Sequence, residues 1–344
     1  MLRYNFLIIG FLFFLHSVNA QDPHFSFFSN NALAVNPALT GQINNYSSRI
    51  QLSHRRQWST VLQDGAFETV FASYEKRLCL PVPNTYLGLG LSFLGDERGD
   101  FPLQRADAFG AASLITLLSK NSQSSLYLSV GVEGGWIFHQ VGAEDLTFDE
   151  QFDDPNLPPE ITSLGSSSEP DLGVGVALSF AKEERARGIS GQIGITIKHL
   201  SKPPLSFFQL EDELTPILEQ QYVYHGALSG QVSRNISIPF QAIYRVQQPH
   251  RQLLTSIGIQ AAANDNWQLQ FAGGLRLSRG PDGLQHDAVI PRVSVMHEKI
   301  QLTASYDVNT SNLRRASAAQ GGLELQLAYN FGGGKCDVVF CPGL

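Results

Sequence analysis

The sequence predicts an all-β protein, a closed antiparallel β-barrel that spans an outer membrane. Segments of roughly ten residues alternate between apolar and polar side chains, which is the period of strands with one lipid-facing side. Beyond the N-terminus, no apolar run reaches the roughly 18 residues that a membrane helix needs. A mean hydropathy of −0.07, with 31 Gly, 22 Phe and only 16% charged residues, fits the same architecture.

Residues 1–20 have the pattern of a cleaved export signal. Arg3 precedes an apolar run, Phe6–Leu15, and Ala20 offers a small residue at the cut. The run is short for a bilayer and no basic stop-transfer flank follows it, so cleavage is favoured over a retained anchor. No cysteine follows the cut, so no lipid anchor is expected there. We therefore expect export, and contact with outer-membrane lipid.

Residues 21–45 lack alternation and are expected to pack against or inside the barrel. The barrel is predicted over residues 46–331, with about fourteen strands and a tolerance of roughly two either way, 12–16. Residues 332–344 form a C-terminal tail. Five glycines inside strands are predicted to allow bends or the close approach of a lumen plug, namely Gly88, Gly90, Gly131, Gly173 and Gly175.

Alternation is clearest near the C-terminus. Apolar side chains recur at every second position from Ile300 to Val308, with polar residues between them. The last strand repeats the pattern, with Leu323 and Leu325 on one side and Glu324 on the other. Both strands are predicted to line a lipid-facing wall.

The lengths of the connections give an independent check on a barrel. Outer-membrane barrels have short periplasmic turns and longer outer loops, so long connections must fall at one end. With periplasmic termini, connections from odd to even strands face outward. The two longest connections, Val141 to Asp171 and Ser201 to Gln220, follow the fifth and seventh predicted strands and satisfy this parity.

The sequence contains no pattern that indicates catalysis, a cofactor or a metal. Removal of the signal leaves 23 Lys and Arg against 31 Asp and Glu residues, a net charge of −8, which disfavours nucleic acid as a partner. There is no phosphate-binding lysine loop, no His-Glu-x-x-His, no Cys-x-x-Cys and no Gly-x-Ser-x-Gly. We therefore expect that the protein is not an enzyme.

The two long connections differ in chemistry. The first carries nine carboxylates and no Lys or Arg, so it would bind calcium or a basic partner, or be a solvated surface loop, which is the favoured interpretation. The second is more apolar, and Phe207 and Phe208 are candidate partner-binding residues that would otherwise fold onto the rim.

The three cysteines are Cys79, Cys336 and Cys341. The last two lie close together in an exported chain, where oxidation is permitted. A disulfide between Cys336 and Cys341 and two free thiols are both compatible with the sequence.

Seven different short motifs follow one another along the predicted mature chain. They are Asp22-Pro23-His24-Phe25-Ser26, Asn36-Pro37-Ala38 with Gly41, Arg55-Arg56-Gln57-Trp58, Ser73-Tyr74-Glu75, Leu87-Gly88-Leu89-Gly90, Tyr306-Asp307-Val308-Asn309 and Gly321-Gly322-Leu323-Glu324. Their order and spacing resemble the PorP/SprF family of Bacteroidetes outer-membrane proteins. The C-terminal tail, residues 332–344, has no counterpart in this resemblance.

The resemblance implies a role in type IX secretion, often alongside gliding motility. It implies a barrel that binds the C-terminal domain of a secreted or surface-anchored protein, or the secretion machinery, and it transfers no catalytic residues. Asn36 and Pro37 are candidate partner contacts, although a turn that enters the barrel is the favoured interpretation because Pro fixes φ. The alternative functions are a diffusion porin or hydrophobic-solute transporter, and a soluble β-sandwich.

Overall fold

The computed structural model describes residues 22–23, 25–26, 31–62, 65–99, 103–142, 163–182, 188–204, 217–264, 266–280 and 283–333. Fourteen antiparallel strands close into one barrel, in which each strand pairs with its chain neighbours and β14 pairs with β1. They are β1 Tyr46–Gln57, β2 Phe67–Cys79, β3 Thr85–Arg98, β4 Leu103–Lys120, β5 Ser124–Gly142, β6 Ser163–Lys182, β7 Ile189–Lys198, β8 Gln221–Ser233, β9 Ile236–Gln247, β10 His250–Ala262, β11 Trp267–Gly280, β12 Gly283–His297, β13 Ile300–Asn309 and β14 Gln320–Gly333.

Short helical turns complete the described structure. They are the α-helical turns Ala32–Val35 and Ser59–Leu62 and the 3₁₀ turns Pro37–Leu39 and Asn312–Arg314. Among the described residues, no helix has the length and apolar character needed to cross a membrane. The predicted all-β barrel and its strand number are confirmed.

Alternation along the strands separates two environments. On β14, Leu325 is 47% exposed, whereas Glu324 is 1% exposed. On β13, Leu302 is exposed and Thr303 is buried. Because the two sides of a closed barrel are its outer surface and its lumen, the apolar side chains face lipid and the polar ones face the lumen. The predicted alternation of these two strands between an apolar outer side and a polar inner side is confirmed.

The connections differ in length between the two ends of the barrel. Those from odd to even strands include the spans between Gly142 and Ser163 and between Lys198 and Gln221. Those from even to odd strands are short, for example between Ser233 and Ile236. We call the first end the loop end and the second the turn end. The predicted parity is confirmed. In outer-membrane barrels, the end that carries the longer loops is the outer one.

The first long connection is shorter than predicted. Val141 still belongs to β5, and β6 begins at Ser163, well before Asp171. Gly165 pairs with Val141, and Asp171 pairs with Gly135. This part of β6 lacks apolar alternation because a strand that extends beyond the hydrocarbon core of the bilayer needs no apolar side. The prediction of a loop over 141–171 was therefore wrong at both edges, and residues 143–162 lie outside the described structure.

The N-terminal segment, residues 22–45, is described at 22–23, 25–26 and 31–45, and these residues contact the lumen side of the wall from the loop end to the turn end. The Asp22 backbone N–H donates to the Gln247 side chain on β9 at 3.0 Å, and that of Gly41 donates to Glu75 on β2 at 2.7 Å. Strands on opposite sides of the barrel thus contact one segment, which only a segment inside the barrel can achieve. The barrel begins with β1 and ends with β14 at the turn end, which is the arrangement expected for periplasmic termini. Asp22, at the start of the N-terminal segment, instead lies near the loop end.

Cys79, the last residue of β2, is disulfide-bonded. Cys336 and Cys341 lie outside the described residues, so a bond between these two stays a prediction. It competes with the bond of Cys79, because the chain has only three cysteines. At the start of the predicted tail, Gly332 and Gly333 continue β14.

Candidate functional site

The candidate site is the N-terminal segment seated in the lumen, together with the loop-end mouth above it. Leu33, Val35 and Leu39 of the segment are almost completely buried. The wall around them is lined largely by buried polar side chains, several of them charged. Buried charges are tolerated only when they are paired and hydrogen-bonded, so their partners define how the segment is held.

The first group of contacts is the Asp22 cluster, formed by Asp22, Arg105, Asp107, Asp171 and His199. Asp22 Oδ1 accepts from Arg105 Nη1 at 2.6 Å, and Asp22 Oδ2 lies 2.6 Å from His199 Nε2. The other ring nitrogen, His199 Nδ1, lies 2.6 Å from Asp171 Oδ2. Arg105 also makes two bonds to Asp107, at 2.8 and 2.7 Å. The cluster ties the start of the segment to β4, to β6 and to the residue that follows β7.

The charges in this cluster control the protonation of Asp22 and His199. Burial alone would lower the pKa of His199 and raise that of Asp22, because each charged form loses hydration. Asp22 and Asp171 outweigh burial and raise the pKa of His199 to about 9. His199 and Arg105 hold the pKa of Asp22 well below its usual value. At neutral pH, His199 is therefore a cation between two carboxylates.

The Asp22 cluster is expected to stabilise the protein less as the pH rises. The pKa of His199 is 6.5 when unperturbed and about 9 in the fold, so its contribution is complete below pH 6.5 and lost through pH 9. The low pKa of Asp22 acts in the opposite sense, and its contribution is lost only as the pH falls below the ordinary value of 3.8.

Urea unfolding followed by tryptophan fluorescence between pH 6 and about 9.5 measures this contribution in detergent. The unfolding midpoint of the native protein is expected to fall over this range more than that of His199→Gln, which cannot titrate. Equal pH dependence in the two proteins would contradict the assignment.

The second group is the Ser26 cluster, formed by Ser26, Arg55, Arg276, Asp307 and Glu324. Asp307 Oδ2 lies 2.7 Å from Arg55 Nη2 and 2.7 Å from Arg276 Nη1. Ser26 donates its backbone N–H to Glu324 and its hydroxyl to Asp307, each at 2.7 Å. All five side chains are nearly inaccessible to solvent. The cluster joins the segment to β1, β11, β13 and β14.

Asn36 holds the middle of the segment and is completely buried. Its Nδ2 donates to the carbonyl oxygens of Val176 at 3.2 Å and Ile195 at 3.3 Å, and lies 2.9 Å from His225 Nε2. Its Oδ1 accepts from the Ala38 N–H at 2.9 Å and so caps the 3₁₀ turn that Pro37 begins. The amide is fully used in bonds within the chain, which supports the turn interpretation.

Replacement of Asn36 by alanine is expected to destabilise the protein by about 2–3 kcal/mol, because it removes several buried hydrogen bonds, including the one that the Ala38 N–H donates to Oδ1. The free energy of unfolding in urea measures the effect. Asn235→Ala is the control, since Asn235 lies exposed in the turn between β8 and β9. Similar losses in the two variants would show that the bonds of Asn36 do not hold the segment.

The lower part of the segment is held by uncharged and charged groups together. Gln42 Nε2 donates to Ser129 Oγ at 2.5 Å, and Gln42 Oε1 accepts from Gln192 Nε2 at 2.7 Å. Arg77 Nη1 donates to the Ile43 carbonyl oxygen at 2.5 Å. The segment therefore meets the wall at the loop end, in the middle and at the turn end.

The remaining candidate residues have different outcomes. Pro37 is buried beside Asn36, so a partner would reach either residue only if the segment moved. Phe207 and Phe208 lie outside the described residues. The described edge of their connection folds back onto the barrel, where Leu218 is completely buried against Ile137. Among the described residues, no group of three or more His, Cys, Asp or Glu is arranged to hold a metal ion.

Sequence reasoning missed the ion pairs that hold the segment. Asp22, Ser26, Arg55 and Asp307 fall within motifs shared with the family, but their pairing was not predicted. A signal did exist, because Arg55 and Asp307 occupy strand positions that alternate with lipid-facing residues. A charged residue on the lumen side of a strand needs a partner, and the N-terminal segment supplies part of it.

A protein-family comparison identifies the chain. The model described as "Type IX secretion system membrane protein PorP/SprF" matches residues 17–329. The chain belongs to the PorP/SprF family. This PorP/SprF protein is thus a membrane barrel of the type IX secretion system, located in the outer membrane, and its family is one of secretion components and not of enzymes. A search of curated proteins finds no match.

Solved structures similar to this PorP/SprF barrel include several outer-membrane proteins. The Pseudomonas putida toluene transporter TodX shares 11% identity at a TM-score of 0.44, covering 91% of this chain and 98% of TodX. A Pseudomonas aeruginosa FadL homologue shares 11% identity at 0.45, covering 86% and 93%. The CymD monoaromatic hydrocarbon channel shares 9% at 0.46, covering 88% and 93%.

Proposed function

We propose that this protein is a non-enzymatic binding component of type IX secretion that receives an exported or surface-anchored partner, through that partner's C-terminal domain, at the loop end. A component of the secretion machinery is the other candidate partner, and the family resemblance supports a link to gliding motility. The chain reaches the outer membrane after cleavage of residues 1–20. Phe207 and Phe208 belong to the connection that leaves β7 and returns at β8, and they contribute apolar contacts to the partner.

The seated N-terminal segment is the observation that carries this proposal. From within the lumen, it contacts β2, β4, β6, β9, β13 and β14 through ion pairs and hydrogen bonds. An open diffusion pore needs a continuous aqueous path, and a segment held inside the lumen argues against such a path. The longest connections lie at the opposite end from the short turns, so the loop end offers the larger surface to a partner.

Extraction of the native protein from outer membranes in mild detergent tests the proposal. A large exported protein, or a component of the secretion machinery, is expected to remain bound. The double substitution of Phe207 and Phe208 by serine is expected to reduce the recovery of the partner at an unchanged level of folded barrel. The matched control is Val232→Ser together with Leu228→Ser, two exposed apolar residues towards the turn end of β8.

Conductance in planar bilayers tests the rival function of a porin or solute transporter. The native protein with its segment seated is expected to give no stable channels. Stable open-channel conductance, together with recovery of the protein without a partner, would overturn the proposal in favour of the porin. Recovery of an intact partner complex that does not conduct would support it.

A further inference from the structure

A basic cavity lies at the loop-end mouth, on the side formed by β9, β10 and β11. Arg245, Arg251 and Arg279 line it together with His250 and Gln252. The floor is formed by Asp22 of the N-terminal segment together with the wall residues Gln221 on β8 and Gln247 on β9. The cavity therefore lies directly above the Asp22 cluster and opens at the mouth of the lumen. We call it the arginine mouth.

The carboxylates at the arginine mouth are already engaged by other cations. Asp22 pairs with Arg105 and His199, each at 2.6 Å. Asp287 pairs with Arg276 at 2.5 Å. Neither carboxylate is within ion-pair distance of the three arginines of the mouth. Within the described structure, these arginines thus form a local excess of positive charge.

The three arginines have few hydrogen bonds of their own. Arg245 Nη1 donates to the uncharged Gln252 side chain at 3.3 Å, and Arg279 Nη1 donates to the Pro249 carbonyl oxygen at 2.5 Å. The Arg251 side chain has no hydrogen bond or ion pair among the described residues. Most of their N–H donors remain available, and a guanidinium presents these donors in a planar fork that fits a carboxylate.

The strand register brings two of these like charges together. Gln252 on β10 pairs with Ser278 on β11, so Arg251 and Arg279 are the next residues of the two strands towards the loop end. Gln252 also pairs with Arg245 on β9. Like charges in opposite cross-strand positions destabilise a sheet unless an anion lies between them. An anionic ligand would relieve this repulsion.

We propose that the arginine mouth binds carboxylate side chains of an acidic segment in the exported partner. The proposal rests on the proposed function for the identity of the partner, but not for the binding of carboxylates. A peptide is favoured over a lipid headgroup because the floor of the cavity, Gln221 and Gln247, belongs to the lumen network and not to the lipid-facing wall. The chain as a whole has a net charge of −7, so acidic peptides should be attracted only locally.

Binding of a fluorescent hexaglutamate peptide to the full-length protein in detergent tests the inference, with hexaglutamine as the neutral probe. Hexaglutamate is expected to bind with an affinity that falls with salt, and hexaglutamine is expected not to bind. Arg245→Gln, and separately Arg251→Gln with Arg279→Gln, should each weaken hexaglutamate binding by about tenfold or more. Arg234→Gln, at the turn end, removes the same charge and should leave binding unchanged.

Three results would overturn the inference. One is equal binding of hexaglutamate by the native protein and both arginine variants. Another is displacement of the peptide by citrate at the same carboxylate concentration, which would indicate a site for small carboxylates. The third is binding that appears only after the carboxylates of the β5–β6 connection are replaced by amides, which would indicate that this chain fills its own mouth.

The hexaglutamate measurement also separates the two proposals. If the protein extracted from outer membranes carries no partner but still binds hexaglutamate, the proposed function is contradicted and the arginine mouth stands. A retained partner that is unaffected by the arginine variants would contradict the arginine mouth alone.

Discussion

Replacement of Asp307 by alanine is expected to destabilise the barrel by about 3–5 kcal/mol, because breaking a buried ion pair leaves an uncompensated charge. Asp307 is 1% exposed, and its Oδ2 is shared by Arg55 and Arg276. Its Oδ1 accepts from the Ser26 hydroxyl. One substitution thus removes a negative counter-ion from two buried guanidiniums, and it also removes the hydrogen bond that the Ser26 hydroxyl donates to the wall.

Urea unfolding of the purified barrel in detergent measures the loss for Asp307→Ala. The matched control is Glu97→Ala, since the exposed Glu97 side chain on β3 has no hydrogen bond or ion pair among the described residues. It is expected to change the unfolding free energy by about 0.5 kcal/mol or less.

Asp307→Asn separates charge from hydrogen bonding at the same position. The amide oxygen can still accept a bond, whereas the negative charge between Arg55 and Arg276 is lost. An intermediate loss of stability is therefore expected. A loss for Asp307→Ala no larger than that of the Glu97 control would show that Glu324 and Asp287 are sufficient to compensate the two arginines.

The barrel was predictable from sequence because its wall is a repeated local pattern. Each strand carries the alternation itself, as in Leu323 and Leu325 on either side of Glu324, so about fourteen strands and their parity followed without tertiary information. The pattern failed in the first half of β6, residues 163–170, where no greasy side is needed. Alternation of apolar and polar residues therefore marks the part of a strand that faces lipid, and it does not mark the full length of the hydrogen-bonded strand.

The lumen network was not predictable for the opposite reason. Asp22 and His199 are separated by 177 residues, and Ser26 and Glu324 by 298. No local sequence pattern links positions so far apart. A single buried charge could pair with any inward-facing residue of opposite charge at the same level along the barrel axis. The glycines in the strands were the informative exception, because a missing side chain inside a strand signals the close approach of another backbone.

Replacement of Gly131 by alanine tests that close approach, and it is expected to unseat the N-terminal segment. A Cβ at Gly131 would lie 2.4 Å from the Ala38 nitrogen and 2.4 Å from the Pro37 carbonyl carbon. Both are backbone atoms, which cannot rotate away as a side chain could. Gly131 on β5 pairs with Gly175 on β6, where a Cβ would lie 1.9 Å from Asn36 Oδ1. The two glycines form a notch that receives the turn at Asn36.

Gly131→Ala is expected to destabilise the seated state by about 3 kcal/mol, at the upper end of the usual cost of overpacking, because neither the closed wall nor the turn can give way. Gly273→Ala on β11 is the control, since a Cβ there would have no heavy atom within 4 Å apart from those of Gly273 and its two chain neighbours. Both proteins should still form barrels that shift in gel mobility on boiling, because the substitution leaves the strand ladder intact.

Conductance then separates a lost plug from a damaged barrel. Because the proposed function makes the seated segment a plug, bilayer channels should appear with Gly131→Ala and not with Gly273→Ala or the native protein. Channels of equal size in all three proteins would mean that the lumen is open with the segment in place, and the notch would then have no part in closing it. Channels in Gly131→Ala alone would show that a single methyl group in the wall decides whether the barrel is closed.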